Sequence, residues 1–228
     1  MEVFIIVTVL WIFSVCLHEF GHAWAAYRGG DYTVRDKGYL TLNPLRYTHP
    51  VYSLLMPIVF MILGGVGLPG GAVYIERRLL KSRAWETWVS LAGPAMNLPI
   101  IILCSLTFIL GLVPKDPGHL ASVSLGLLLQ LEVSAVILNL IPIPPLDGFQ
   151  AIAPWLPEEV RERAFAMSGQ ALWVLFLVLW YVKPANYAFW FVVDLITVVD
   201  LITYALGVPP ELAEAGWDSF RFWRHTSP

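Results

Sequence analysis

Apolar positions along this chain do not alternate with polar ones but run together in long blocks. The first block covers residues 3–27 and is broken only by His18, Glu19 and His22. Further blocks fall at about 89–113, 121–142, 165–182 and 186–206. Each is close to the roughly 20 apolar residues that a bilayer-spanning helix needs. A shorter block at 52–68 contains Pro57, Gly64, Gly65 and Gly67 and is marginal for a full crossing. In the connections, residues 39–42 and 72–75 suit short strands. The pattern predicts an all-α polytopic membrane protein with five or six transmembrane helices. In the five-helix version 52–68 is re-entrant, and both versions carry short membrane-associated β-strands. One domain covers 1–208, and 209–228 is a short cytoplasmic or interfacial tail in which Trp217, Phe220, Phe222 and Trp223 stand among charges.

Composition agrees with this reading. The chain has 228 residues and a mean hydropathy of +0.67, with 14 basic and 17 acidic side chains. A soluble domain of that size carries more charge. A net charge of −3 gives no support for a nucleic-acid partner. Cys16 and Cys104 both lie in apolar blocks without C-x-x-C spacing and read as small buried hydrophobes. The first block follows Glu2 rather than a basic stretch and carries the ionisable cluster, so it does not read as a cleavable signal peptide.

Charge placement bears on topology. If 52–68 crosses the membrane, the 14 basic residues divide almost evenly between the two sides. If it dips in and returns, 12 fall on one side and only Lys115 and Lys183 on the other. The positive-inside tendency favours the second arrangement, with the N-terminus outside and the basic loops cytoplasmic.

His18 and His22 are four residues apart, hence on one face of a helix. Two imidazoles at that spacing can bind one zinc ion, and Glu19 beside them can reach a water on the metal without being a ligand. Three ionisable groups inside a span are costly and mark a functional site. A catalytic zinc commonly has three protein ligands. His49, His119 and His225 lie in loops or the tail and are poor candidates for the third. Asp147 is the best: it follows a full apolar span, and Pro142, Pro144, Pro145 and Gly148 would unwind the helix around it. His18 lies ten residues before Arg28 and Asp147 eleven before Glu158. In the re-entrant topology both ligands then sit roughly 10–15 Å deep from one face.

These motifs resemble the site-2 protease family of intramembrane zinc metalloproteases, in its compact prokaryotic branch without a PDZ domain. The resemblance is carried by His18-Glu-Phe-Gly-His22, the loop 38–44, Ala92-Gly-Pro-Ala-Met-Asn97 and residues 139–148, and covers about residues 10–155. It implies one Zn2+ per chain on His18, His22 and Asp147, with Glu19 as the general base. It also implies that Asn97 and Asn139 hold substrate or an oxyanion; on residue chemistry alone they serve equally well as hydrogen-bonding links between spans. Phe149 stands where many relatives have glycine, and it would narrow the turn or the substrate entrance. The implied activity is hydrolysis of peptide bonds in or near transmembrane segments of protein substrates, at the cell membrane. The alternatives are a metal-binding membrane transporter, with Glu132 and Asp194 on a pathway, and a catalytically inactive substrate-binding relative.

Overall fold

The computed structural model describes residues 1–46, 73–167, 209 and 211–221, with Val174, Val178, Val182, Lys183 and Tyr187 as isolated positions. The block at 52–68, most of 165–182, all of 186–206 but Tyr187, and His49, His225, Asp194 and Asp200 lie outside the described residues. Three described helices are long and apolar enough to cross a membrane: α1 (Glu2–Gly29), α3 (Arg83–Ile109) and α4 (Leu120–Leu140). A one-turn helix α2 (Thr33–Asp36) follows α1; α5 (Asp147–Ile152) and α6 (Glu158–Ala166) follow α4, and α7 (Glu211–Phe220) lies in the tail.

The buried stripe of α1 shows how sequence becomes packing. Val3, Val7, Trp11, Ser14, His18, His22 and Ala25 recur every three or four residues and are all buried. Its first half is apolar and its second half polar, so one continuous helix face joins a hydrophobic core to a polar centre. Gly21 sets the spacing to α3, since a Cβ there would come within 2.6 Å of the Ala92 carbonyl oxygen. The helix ends at Gly30, whose φ of +117° favours glycine and whose N–H reaches back to the Ala26 and Tyr27 carbonyls.

The end of α1 and the start of α3 meet. The Lys81 N–H donates to the Gly29 carbonyl at 2.9 Å and its Nζ to the Arg28 carbonyl at 2.9 Å. Residues 30–82 therefore begin and end at the same end of the bundle. Ser82 caps α3, its hydroxyl accepting from the Trp85 N–H at 3.3 Å. Helix α4 stops at Leu140, where Ile141 turns extended and the prolines begin.

The expected strands do not form among the described residues. Residues 39–43 make bends, and 73–76 is irregular before a short 3-10 turn at Arg77–Leu79. Backbone donors that a ladder would use go to carboxylates instead. The Val73 N–H donates to Glu19 Oε2 at 3.2 Å and the Glu76 N–H to Asp31 Oδ2 at 2.7 Å. Asp31 is fully buried and also accepts from the Thr33 N–H and hydroxyl, so it fixes this segment to the end of α1.

Helix α7 packs against α4 and α1. Leu212 and Phe220 are fully buried, Trp217 Nε1 donates to Gln130 Oε1 at 2.9 Å, and the Phe220 ring lies 4.9 Å from that of Phe4. The helices approach through glycine: a Cβ on Gly216 would lie 2.7 Å from Leu127 Cβ and 2.5 Å from the Val123 carbonyl oxygen. Gly216→Leu is expected to overpack this seam and cost about 1–3 kcal/mol. A lower unfolding temperature of the detergent-solubilised chain would register it; an unchanged one would contradict the packing of α7 on α4.

Candidate metal centre

His18 and His22 project from the polar half of the α1 stripe toward α3 and the turn after α4. Each imidazole is held by its Nδ1. His18 Nδ1 is 2.8 Å from Asn97 Oδ1, and His22 Nδ1 is 2.7 Å from the Val89 carbonyl. Both partners are acceptors, so a neutral ring at either position keeps its proton on Nδ1 and turns a bare Nε2 inward. The two Nε2 atoms lie 3.1 Å apart, a separation at which two lone pairs need a cation between them.

Asp147 supplies the third group. Its Oδ2 lies 3.2 Å from His18 Nε2 and its Oδ1 3.4 Å from His22 Nε2. The local chain explains the placement. A Cβ on Gly148 would strike the Leu140 carbonyl oxygen, so only glycine lets the turn fold back under the end of α4. Helix α5 is then tied down on several sides. Thr87 Oγ1 donates to the Ala151 carbonyl at 2.7 Å, Gln150 Nε2 donates to the Pro145 carbonyl at 2.7 Å, and Arg77 Nη2 donates to Gln150 Oε1.

The residues fit a zinc ion. At zinc–ligand distances of about 2.0–2.1 Å, the edge of a tetrahedron is about 3.3–3.4 Å. The Nε2–Nε2 separation of 3.1 Å is close to such an edge, and each Nε2 has one Asp147 oxygen at 3.2 or 3.4 Å, Oδ2 for His18 and Oδ1 for His22. Asp147 Oδ2 is buried and lacks a hydrogen-bond partner, as a metal-ligand oxygen would without its ion. The side facing α3 is kept open by Gly93, where a Cβ would press on His22 Nε2 and lie 2.6 Å from His18 Nε2.

Glu19 is buried beside this triangle, with its Oε2 accepting from Val73. A small cavity of about 10 Å³, near the size that holds one water, is lined by Ser14, His18, Glu19, Asn97, Ala135 and Asn139 among others. All six residues expected at the site are thus buried within one region. Their local roles differ, however. Asn139 and Asn97 both line the cavity, but Asn97 also turns its amide to His18, to Ser14 Oγ at 3.0 Å and to Glu132 Oε2 at 2.8 Å.

Ser14, Gly93 and Glu132 were not expected here. Ser14 precedes His18 by four residues and Glu132 precedes Asn139 by seven, so helical spacing alone puts each on a site-facing stripe. Phe149 is buried and packs edge-on against Phe165, with ring centroids 5.4 Å apart. Cys16 and Cys104 are both buried.

The chain is similar over most of its length to curated proteins. It is 43% identical over 224 residues to Rip2 of Mycolicibacterium smegmatis, a candidate zinc metalloprotease by name, covering 97% of this chain and 82% of that one. Rip2 of Mycobacterium tuberculosis, named in the same way, is 43% identical over 223 residues with the same shares covered. YwhC of Bacillus subtilis, another candidate zinc metalloprotease by name, is 33% identical over 187 residues, or 78% of this chain and 81% of that one. No family model matches the chain. No solved structure matches it.

Proposed function

The chain belongs to the site-2 protease family of zinc metalloproteases, and from that premise we propose that it hydrolyses peptide bonds in or near the transmembrane segments of protein substrates. The observation that carries this reading is the convergence of two bare Nε2 atoms and a buried carboxylate beside Glu19, within a bundle of apolar helices. His18, His22 and Asp147 would hold zinc, which when bound would lower the pKa of a water and polarise the peptide carbonyl. Glu19 takes the proton of the attacking water and passes it to the leaving amine. The Val73 N–H keeps the Glu19 carboxylate turned toward this position. Asn139, in the cavity wall, donates its amide to the carbonyl oxygen as negative charge develops there. The substrate must unwind locally, because a regular helix spends its carbonyls on its own hydrogen bonds.

The N-terminus lies outside and the basic loops lie in the cytoplasm. Supporting this is the meeting of Gly29 with Lys81, which puts the start and finish of 30–82 at one end. Phe220 beside Phe4 places Arg221 toward the other end. The basic residues that argue for the orientation are then the ten within 28–88 and 161–163.

The test is cleavage of a panel of single-span substrates by the purified chain in lipid nanodiscs. Cuts inside or at the edge of the span, abolished by a chelator and restored by zinc, are expected. Asp147→Ala should fold, lose its equivalent of zinc and lose cleavage. Zinc retained in that variant would remove Asp147 from the ligand set, and cleavage confined to soluble peptides would remove the intramembrane reading.

A further inference from the structure

Behind the metal triangle lies a buried polar chain that the hydrolytic mechanism does not use. It runs from His18 Nδ1 to Asn97 Oδ1, and from Asn97 Nδ2 to both Ser14 Oγ and Glu132 Oε2. The four residues come from three helices, α1, α3 and α4, and all are at least 95% buried. Glu132 is fully buried on α4, and its second oxygen, Oε1, is buried without a hydrogen-bond partner. A carboxyl group so placed is costly in the core of a helix bundle, and a residue retained at that cost needs a reason.

The direction of the Asn97 amide supplies one. An amide side chain has an accepting end and a donating end that occupy nearly the same space. If Asn97 presents Oδ1 to His18, the imidazole keeps its proton on Nδ1 and leaves Nε2 bare for a metal. With the amide reversed, its NH2 group would face Nδ1, and the neutral ring would move its proton to Nε2, where it blocks the metal. Ser14 does not decide between these states, because a hydroxyl both donates and accepts. Glu132 does, because its Oε2 accepts and so draws the NH2 end of Asn97 away from His18.

We propose that Glu132 is a positioning residue for the metal centre: through Asn97 it fixes the tautomer of His18 and thereby the affinity of the site for zinc. His22 needs no such device, since its Nδ1 faces a backbone carbonyl, which can only accept. The inference rests on the reading of His18, His22 and Asp147 as zinc ligands. It adds a residue that touches neither metal nor substrate. Partners that orient a ligating histidine are commonly worth about 10–100-fold in metal affinity.

The experiment measures zinc affinity, by chelator competition, for the full chain purified in detergent. Glu132→Met replaces the carboxyl by an apolar side chain of similar length and should weaken zinc about 10–100-fold. Glu132→Gln keeps an accepting oxygen for Asn97 and should stay within about 3-fold of the parent. Parental affinity in Glu132→Met, or an equal loss in both variants, overturns the proposal. His18→Ala and Asp147→Ala run alongside. If they bind zinc like the parent, the metal site itself is misassigned; if they lose zinc while Glu132→Met keeps it, only the role of Glu132 fails. A measurement independent of these variants is the imidazole 15N spectrum of the metal-free parent chain. The neutral form of His18 should carry its proton on Nδ1, and an Nε2-protonated ring would overturn the assignment even if Glu132→Met did not fold.

Discussion

Glu19→Gln is expected to bind zinc as tightly as the parent chain and to cleave its substrates roughly 10²–10⁴-fold more slowly, the range for loss of a positioned general base. The two halves of this result have separate origins. Zinc is retained because the proposed ligand set of His18, His22 and Asp147 does not include residue 19. The glutamine is nearly isosteric, and its oxygen can still accept from the Val73 N–H, so the segment over the site keeps its anchor. Rate is lost because an amide cannot take a proton from water near neutral pH. Zinc content by elemental analysis and cleavage of a single-span substrate by gel would read both halves. A parental rate would move the base elsewhere, and loss of zinc would place Glu19 among the ligands.

The centre was legible in the chain to the extent that it depends on short-range geometry. His18 and His22 had to share a face because four residues make about one helical turn, and no tertiary contact was needed to see it. Asp147 was expected beside them because two apolar blocks end in charged residues at nearly equal distances from it and from His18, and the three side chains do lie together. The Ser14–Asn97–Glu132 chain was not legible, because it depends on how three helices rotate against one another. That rotation is set by close approaches such as Gly21 on Ala92 rather than by any local pattern. Glu132 therefore stood in the sequence as an acid without a partner. The strands failed for a related reason: whether the backbone N–H groups of Val73 and Glu76 pair with a strand or with a carboxylate depends on where Glu19 and Asp31 come to rest. Tail aromatics signalled an amphipathic segment, but not that its glycine would fit against α4.

Gly93→Ala should leave the bundle folded and cost it the metal, with zinc affinity falling at least on the order of 100-fold, the upper range for disturbing the orientation of a ligating histidine. In most helix interiors this substitution helps, by up to about 1 kcal/mol, since alanine has the better helix propensity. Here the added methyl would press directly on His22 Nε2 and lie 2.6 Å from His18 Nε2, the two atoms that carry the metal lone pairs. Neither ring can yield while keeping its partner, because His18 is held by Asn97 and His22 by the Val89 carbonyl. Helix α3 as a whole has little room to readjust, with Ala92 already against Gly21. Relief comes most cheaply from swinging an imidazole outward, which opens the 3.1 Å Nε2–Nε2 separation that suits zinc. The signature is a separation of two quantities that usually move together: an unfolding temperature at or above that of the metal-free parent, and zinc content near zero. A variant that held stoichiometric zinc with parental affinity would show that the metal does not sit in the space that Gly93 keeps open.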